Sequence, residues 1–337
     1  MLLIAVGTRP EWIKIRPVIK AIEGKIPYRL LLTGQHTTLI DDDINNYPRY
    51  NLEIQDECDL RLDSIVASIL KQIPSNMYGA THVMVQGDTT TVFAIALAAF
   101  HRQIPVIHLE AGLRTWDKQN PFPEEFNRQS VSAMTDIHLC PTKMAMKNLI
   151  SEGKHHKSEI YVVGNTSLDN LYNEVPNGEI HALVTLHRRE NHKNIPLWFS
   201  VINSLAKQNK ELDWVLPIHP NPNVLKHKHL LTDVSVIDPL PHHYLLKYLK
   251  NSKIVITDSG GIQEEAAFFK KPCIVCRERT ERQEGLDEFS WLCTDASKLP
   301  SLFNYLIDHK IDKTIPCPYG DGKSSEKILK ILQGLIK

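Results

Sequence analysis

Short continuous apolar runs recur along the chain, separated by stretches of helical length. They read LLIAVG (2–7), YRLLLTG (28–34), HVMVQG (82–87), PVIHLE (105–110), DIHLCP (136–141) and IYVVG (160–164) in the first half. HALVTLH (181–187), DWVLPIH (213–219), VSVID (234–238), KIVITD (253–258) and PCIVC (272–276) follow in the second. Each has strand length and polar or turn residues at its borders, the pattern of parallel strands covered on both faces. Strand, polar loop and helix alternate, which predicts an α/β protein with two doubly wound, Rossmann-like domains. GNTSLDNLYNEVPNGE (164–179) closes one set of strands and precedes a fresh set, so the domain boundary is expected there. The tail after PYGDGKSS predicts a capped final helix over 324–336.

The less ordinary polar residues cluster just after the strands. GTRPEWIK follows the first, QGDTTT the third and HLEAGLRT the fourth; LHRREN, IHPNPN, DSGGIQEE and RERTERQEG follow strands of the second half. Ligands of open α/β sheets bind outside the carboxyl ends of strands, and two such sheets facing a central cleft would pool these loops. DSGG, feeding a helix, brings bare backbone N–H groups towards an anion, with Gly260 and Gly261 omitting the Cβ atoms that would hold a phosphate off. The same residues also suit a tight turn with Ser259 as N-cap and Glu264 or Glu265 complementing the helix dipole. Arg9 and Lys14 could meet a phosphate from the other domain. Asp88 and Glu110 end consecutive strands, and Glu124 and Arg128 share a helix face at i, i+4 after Pro123. Three acids on strand-end elements could do general acid and base work.

Composition narrows the classes. The 337 residues fit two domains, with 42 % apolar and 23 % charged residues. Lys plus Arg and Asp plus Glu both number 39, so no net field points to nucleic acid or an anionic membrane. The longest apolar run, near VFAIALAAF (92–100), is too short for a membrane span, and MLLIAVG lacks the basic lead of a signal segment. Cysteines stand at 58, 140, 273, 276, 293 and 317; the C-x-x-C of KPCIVCRE reads as buried strand, and a reducing cytoplasm is expected. The 16 histidines are dispersed without H-E-x-x-H, so no metal is expected. GKS lacks the first glycine of a P-loop, and Thr257 stands where G-x-S-x-G needs its first glycine.

In order, GTRPE, QGDTTT, HLEAGLRT, PEEFNRQ, TLHRREN, HPNPNV, DSGGIQEEA, TERQEG and PYGDGKSS resemble the non-hydrolysing UDP-N-acetylglucosamine 2-epimerases, from residue 4 to about 330. The resemblance implies a GT-B arrangement: residues 1–166 carry the acid/base groups, 167–322 bind UDP, and the helix of 323–337 packs back on the first domain. It implies interconversion of UDP-GlcNAc and UDP-ManNAc for surface polysaccharide, through elimination of UDP to a 2-acetamidoglucal and re-addition. No cofactor, metal, nucleic acid or membrane insertion is implied, and the assembly would be a cytoplasmic homodimer. Asp88, Glu110 and Glu124 match the family's acid/base carboxylates, Arg128 the residue orienting one of them, and His187 the histidine near phosphates and sugar. Arg9, Lys14, Ser259, Gly260 and Gly261 match diphosphate contacts, and Glu265 the carboxylate on the ribose hydroxyls. His219 and Arg282 join the substrate- and UDP-binding candidates. TGQHTTLI keeps Gln35 and His36 of a region that bacterial members use for a second, activating UDP-GlcNAc site, without a second glutamine near 38. Gln283 and Trp12 replace a common proline and alanine. The rival readings are a hydrolysing 2-epimerase releasing ManNAc, a 2-epimerase for a UDP-diacetamido-uronate, and a non-catalytic nucleotide-sugar-binding regulator.

Overall fold

The computed structural model describes residues 1–34, 42–54, 60–171 and 181–336. Gln35, His36, Cys58 and the 172–179 part of the boundary segment lie outside the described residues. The chain divides into two compact units, Met1–Tyr172 with Gly320–Lys337, and Asn173–Tyr319. The sequence reading placed these crossings at 166/167 and 322/323. The turn Thr166–Asn170 belongs with the first unit because it packs on that unit's first helix, where Asn170 Nδ2 donates to the Ile13 carbonyl at 3.1 Å.

In the first unit the elements run β1 (Leu2–Val6), α1 (Arg9–Ile22), β2 (Tyr28–Leu32), β3 (Arg49–Asn51), α2 (Arg61–Gln72), β4 (His82–Gln86) and α3 (Thr90–His101). They continue as β5 (Val106–Leu109), α4 (Glu124–Met134), β6 (Ile137–Cys140), α5 (Lys143–Ser151) and β7 (Glu159–Val162). All strands are parallel, in the order β3-β2-β1-β4-β5-β6-β7. The order reverses between β1 and β4, which makes that pair of strand ends the switch point of a doubly wound sheet. Alternate side chains feed the two faces: Leu2, Ile4 and Val6 pack with α1, whereas Leu3 and Ala5 pack with α2 and α3.

The second unit repeats the plan with β8 (His181–Thr185), α6 (Ile195–Gln208), β9 (Asp213–Pro217), α7 (Pro222–Leu225), β10 (Ser235–Ile237) and α8 (His242–Lys250). β11 (Ser252–Thr257), α9 (Gly260–Phe268), β12 (Cys273–Val275), β13 (Ser290–Leu292) and α10 (Leu299–Leu306) complete it. Its strands are ordered β10-β9-β8-β11-β12-β13, so the switch point lies between β8 and β11. Cys273 and Cys276 are fully buried here, and burial pushes both thiols up.

The last helix, α11 (Ser324–Leu335), returns to the first unit. Ile328 and Leu332 are buried with Trp12, Ile15 and Ile19 of α1, and Asp169 accepts the Ser324 and Ser325 N–H groups at 2.9 and 2.6 Å. Among the described residues, two strands escape the sequence pattern. β3 (RYN) and β13 (SWL) are three-residue edge strands without a continuous apolar run. Among the described residues no helix is long and apolar enough to cross a membrane.

Candidate active site

The first unit gathers its acids at the switch point and the adjoining strand end. Thr8 caps α1, and Glu11 closes a capping box by accepting the Gly7 N–H at 2.6 Å and the Thr8 N–H at 3.1 Å. The other Glu11 oxygen accepts the Thr89 hydroxyl at 2.8 Å. One buried carboxylate thus fastens the loop after β1 to the loop after β4. Burial raises it from 4.5 to about 7, against the lowering effect of those three hydrogen bonds. Asp88, beside Thr89, lies 2.6 Å from Arg128 Nη2, and its backbone carbonyl accepts the Asn127 side-chain amide at 2.8 Å. Arg128 also donates to Glu125 at 3.0 Å. Glu125, fully buried, accepts the Thr115 and Trp116 N–H groups at 3.0 and 3.1 Å, so it pins the chain leaving β5 to α4. Glu124 is half-buried in the first turn of α4.

Glu110 stands at positive φ, +67°, directly after β5. Lys14 Nζ lies 2.6 and 2.5 Å from its two oxygens, and the Gln86 amide donates to it as well. The lysine read as a diphosphate contact is therefore engaged by a candidate proton-transfer carboxylate. Arg9 is half-buried at the first position of α1. His108, one residue upstream of Leu109, is paired through Nε2 with the Gly87 carbonyl at 2.8 Å; burial lowers it to about 4, so the ring is neutral and Nε2 carries the proton.

In the second unit Asp258, fully buried, accepts the N–H groups of His187 and Arg188 at 2.9 and 2.8 Å and the Asn191 amide at 3.0 Å. It fixes the loop after β8 to the end of β11. The His187 and His219 rings stack at 5.0 Å, and burial lowers both, His187 against the raising effect of Asp258. The Asn221 N–H donates to His219 Nδ1 at 3.2 Å, which leaves the proton of a neutral ring on Nε2.

The DSGG turn separates into parts. Ser259 stands at the N-cap of α9, but its side chain makes no capping hydrogen bond. A Cβ on Gly260 would lie 2.9 Å from Arg282 Cζ, so this glycine seats the guanidinium. A Cβ on Gly261 would meet nothing nearer than Ser259 Oγ at 3.9 Å, so that side of the turn is open. Arg282, buried, donates through Nε to Glu264 at 2.7 Å and pairs with Glu281, which in turn accepts from Arg277 at 2.9 Å. Glu265 lies 2.7 Å from His242 Nε2 through Oε1; its Oε2 is buried with no hydrogen-bond partner among the described residues.

A family model described as UDP-N-acetylglucosamine 2-epimerase matches residues 20–333. The chain belongs to this epimerase family. A UDP-N-acetylglucosamine 2-epimerase of Campylobacter jejuni is 37 % identical over 98 % of this chain and 97 % of its own length. The crystal structure of the UDP-GlcNAc 2-epimerase from Neisseria meningitidis bound to UDP-GlcNAc superposes with a TM-score of 0.85 at 32 % identity, covering 99 % of both chains. The Staphylococcus aureus MnaA–UDP co-structure has a TM-score of 0.87 at 34 % identity, covering 99 % of this chain and 96 % of that one.

In this epimerase-family chain, geometry adds residues that sequence reasoning passed over. Glu11 had a signal, the T-x-x-E spacing of a capping box. Glu125 had none that separated it from Glu124. Asp258 stands before Ser259 and the two glycines in sequence, but its carboxylate reaches back 70 residues or more to the His187 loop. His242 sits in PLPHHYLL, where nothing in its spacing sets it apart from the other dispersed histidines.

Proposed function

We propose that this chain interconverts UDP-GlcNAc and UDP-ManNAc without releasing the sugar. The observation that carries the reading is the pairing of two strand-end carboxylates with cations, Asp88 with Arg128 and Glu110 with Lys14. A carboxylate base takes the proton from C2 while the C1–O bond to UDP breaks, giving 2-acetamidoglucal and UDP. Another acid then protonates C2 on the opposite face as a UDP oxygen re-forms the bond to C1. Asp88, Glu110 and Glu124 are the proton-transfer groups, and Arg128 holds Asp88 in register. UDP as leaving group needs anion stabilisation, supplied by Arg9, the Ser259–Gly261 turn at the start of α9, and the His187 loop with His219. Arg282 acts through the turn, since its guanidinium lies on Gly260. Lys14 orients Glu110. Glu265 accepts the ribose hydroxyls. UDP-GlcNAc in the Neisseria relative and UDP in the Staphylococcus one support this ligand class.

Incubation with UDP-GlcNAc in D2O, followed by NMR at C2, tests the scheme. Deuterium at C2 of a UDP-bound product is expected. Turnover without label overturns the elimination, and free ManNAc with UDP as end products assigns the hydrolysing reaction instead. The same reading has the protein act as a homodimer in the cytoplasm, supplying ManNAc units for surface polysaccharide; sedimentation velocity and the polysaccharide content of a deletion strain test those parts.

A further inference from the structure

We propose that His242 is a positioning residue: it holds Glu265 so that the second carboxylate oxygen is presented to the ribose hydroxyls of a bound uridine nucleotide. The inference rests on the reading of Glu265 given above and adds what makes that carboxylate selective. Glu265 Oε1 lies 2.7 Å from His242 Nε2, and the Glu265 side chain is only 4 % exposed. Oε2 is buried and has no hydrogen-bond partner among the described residues. Leaving a buried acceptor unsatisfied is costly, so a site built this way calls for a donor from a ligand. Glu265 lies four residues past Gly261 on α9, a rise of about 6 Å along the helix. A nucleotide with its diphosphate at the open glycine turn would bring its sugar about one turn further on.

The local fold explains why a histidine serves. Pro241 at the N-cap, with its fixed φ, starts α8 at His242, so the ring is carried by a rigid first turn and not by a loop. It reaches α9 from a separate element, so the carboxylate rotamer does not depend on α9 alone. A ring nitrogen engages one oxygen and cannot fork across both, as an arginine would. The second oxygen is thereby left for a hydroxyl donor.

Binding of UDP and 2′,3′-dideoxy-UDP to the full-length enzyme, measured by calorimetry, tests this. The wild type is expected to prefer UDP about ten- to a hundredfold, the worth of hydrogen bonds to a charged acceptor. In H242A the preference falls towards unity, through lost UDP affinity with dideoxy affinity nearly unchanged. H242Q keeps an N–H donor and restores most of the preference; it also carries the test should H242A fail to fold. Equal loss of affinity for both ligands, or full preference retained in H242A, overturns the positioning role. A wild type that binds both ligands equally overturns the ribose reading of Glu265 and this inference with it. If wild type binds neither, the nucleotide-sugar reading itself falls.

Discussion

Glu11 offers the most direct check on the electrostatics of the first unit. Its carboxylate is fully buried, and burial outweighs the N–H groups of Gly7 and Thr8 and the Thr89 hydroxyl, raising it from 4.5 to about 7. The nearby Asp88 charge raises it further. Between these two values the unfolded chain gives up the proton while the folded chain keeps it, so stability falls as pH rises. The contribution is full below 4.5 and gone above about 7, and the difference corresponds to about 3 kcal/mol. Glu11→Gln abolishes the titration and keeps an oxygen for the two backbone N–H groups. Urea unfolding of both proteins from about pH 5 to about pH 8.5 isolates the effect as the difference between two curves. The wild type should lose up to about 3 kcal/mol relative to the variant across that range. Parallel curves would refute the argument, because the proton would then be bound equally in folded and unfolded chains. A wild-type advantage growing with pH would show the hydrogen bonds dominating the burial.

Three further outcomes are expected. Gly260→Ala places a Cβ 2.9 Å from Arg282 Cζ and should cost about 1–3 kcal/mol in thermal or urea unfolding as the guanidinium leaves Glu264. Gly261→Ala meets no close atom and should leave stability unchanged or slightly raised, by at most about 1 kcal/mol, while weakening UDP binding about tenfold. Asp88→Asn should lower turnover about a hundred- to ten-thousandfold with little change in UDP affinity; collapse of UDP binding would make Asp88 a structural residue.

Much of the architecture was legible because parallel strands buried on both faces write themselves as apolar runs. The strands β1, β4, β8 and β11 read this way, and their trailing polar loops are the switch-point loops of two doubly wound sheets, with the end of β5 beside the first. β3 and β13 were not legible. A three-residue edge strand such as RYN is selected by backbone pairing to β2, and such pairing leaves no side-chain pattern.

The candidate site was legible in residue type and position, and much less so in partnership. Spacing at i, i+4 joined Glu124 to Arg128, yet the arginine also reaches Asp88 on another strand end and Glu125 at i, i+3. Helix spacing cannot foresee a competing carboxylate that arrives through tertiary packing. The DSGG turn makes the same point about cause. Its first glycine reads as room for a phosphate, but the atom that needs the room belongs to Arg282, which comes 22 positions later in the chain. The second glycine has no such protein neighbour, so the two are separable by experiment though adjacent in sequence. If Gly261→Ala weakens UDP binding and Gly260→Ala chiefly weakens the fold, the turn has one glycine for ligand and one for structure. If both changes act on UDP alone, Arg282 is too mobile to be seated by Gly260, and the buried chain from Glu264 through Arg282 to Glu281 carries little of the fold's stability.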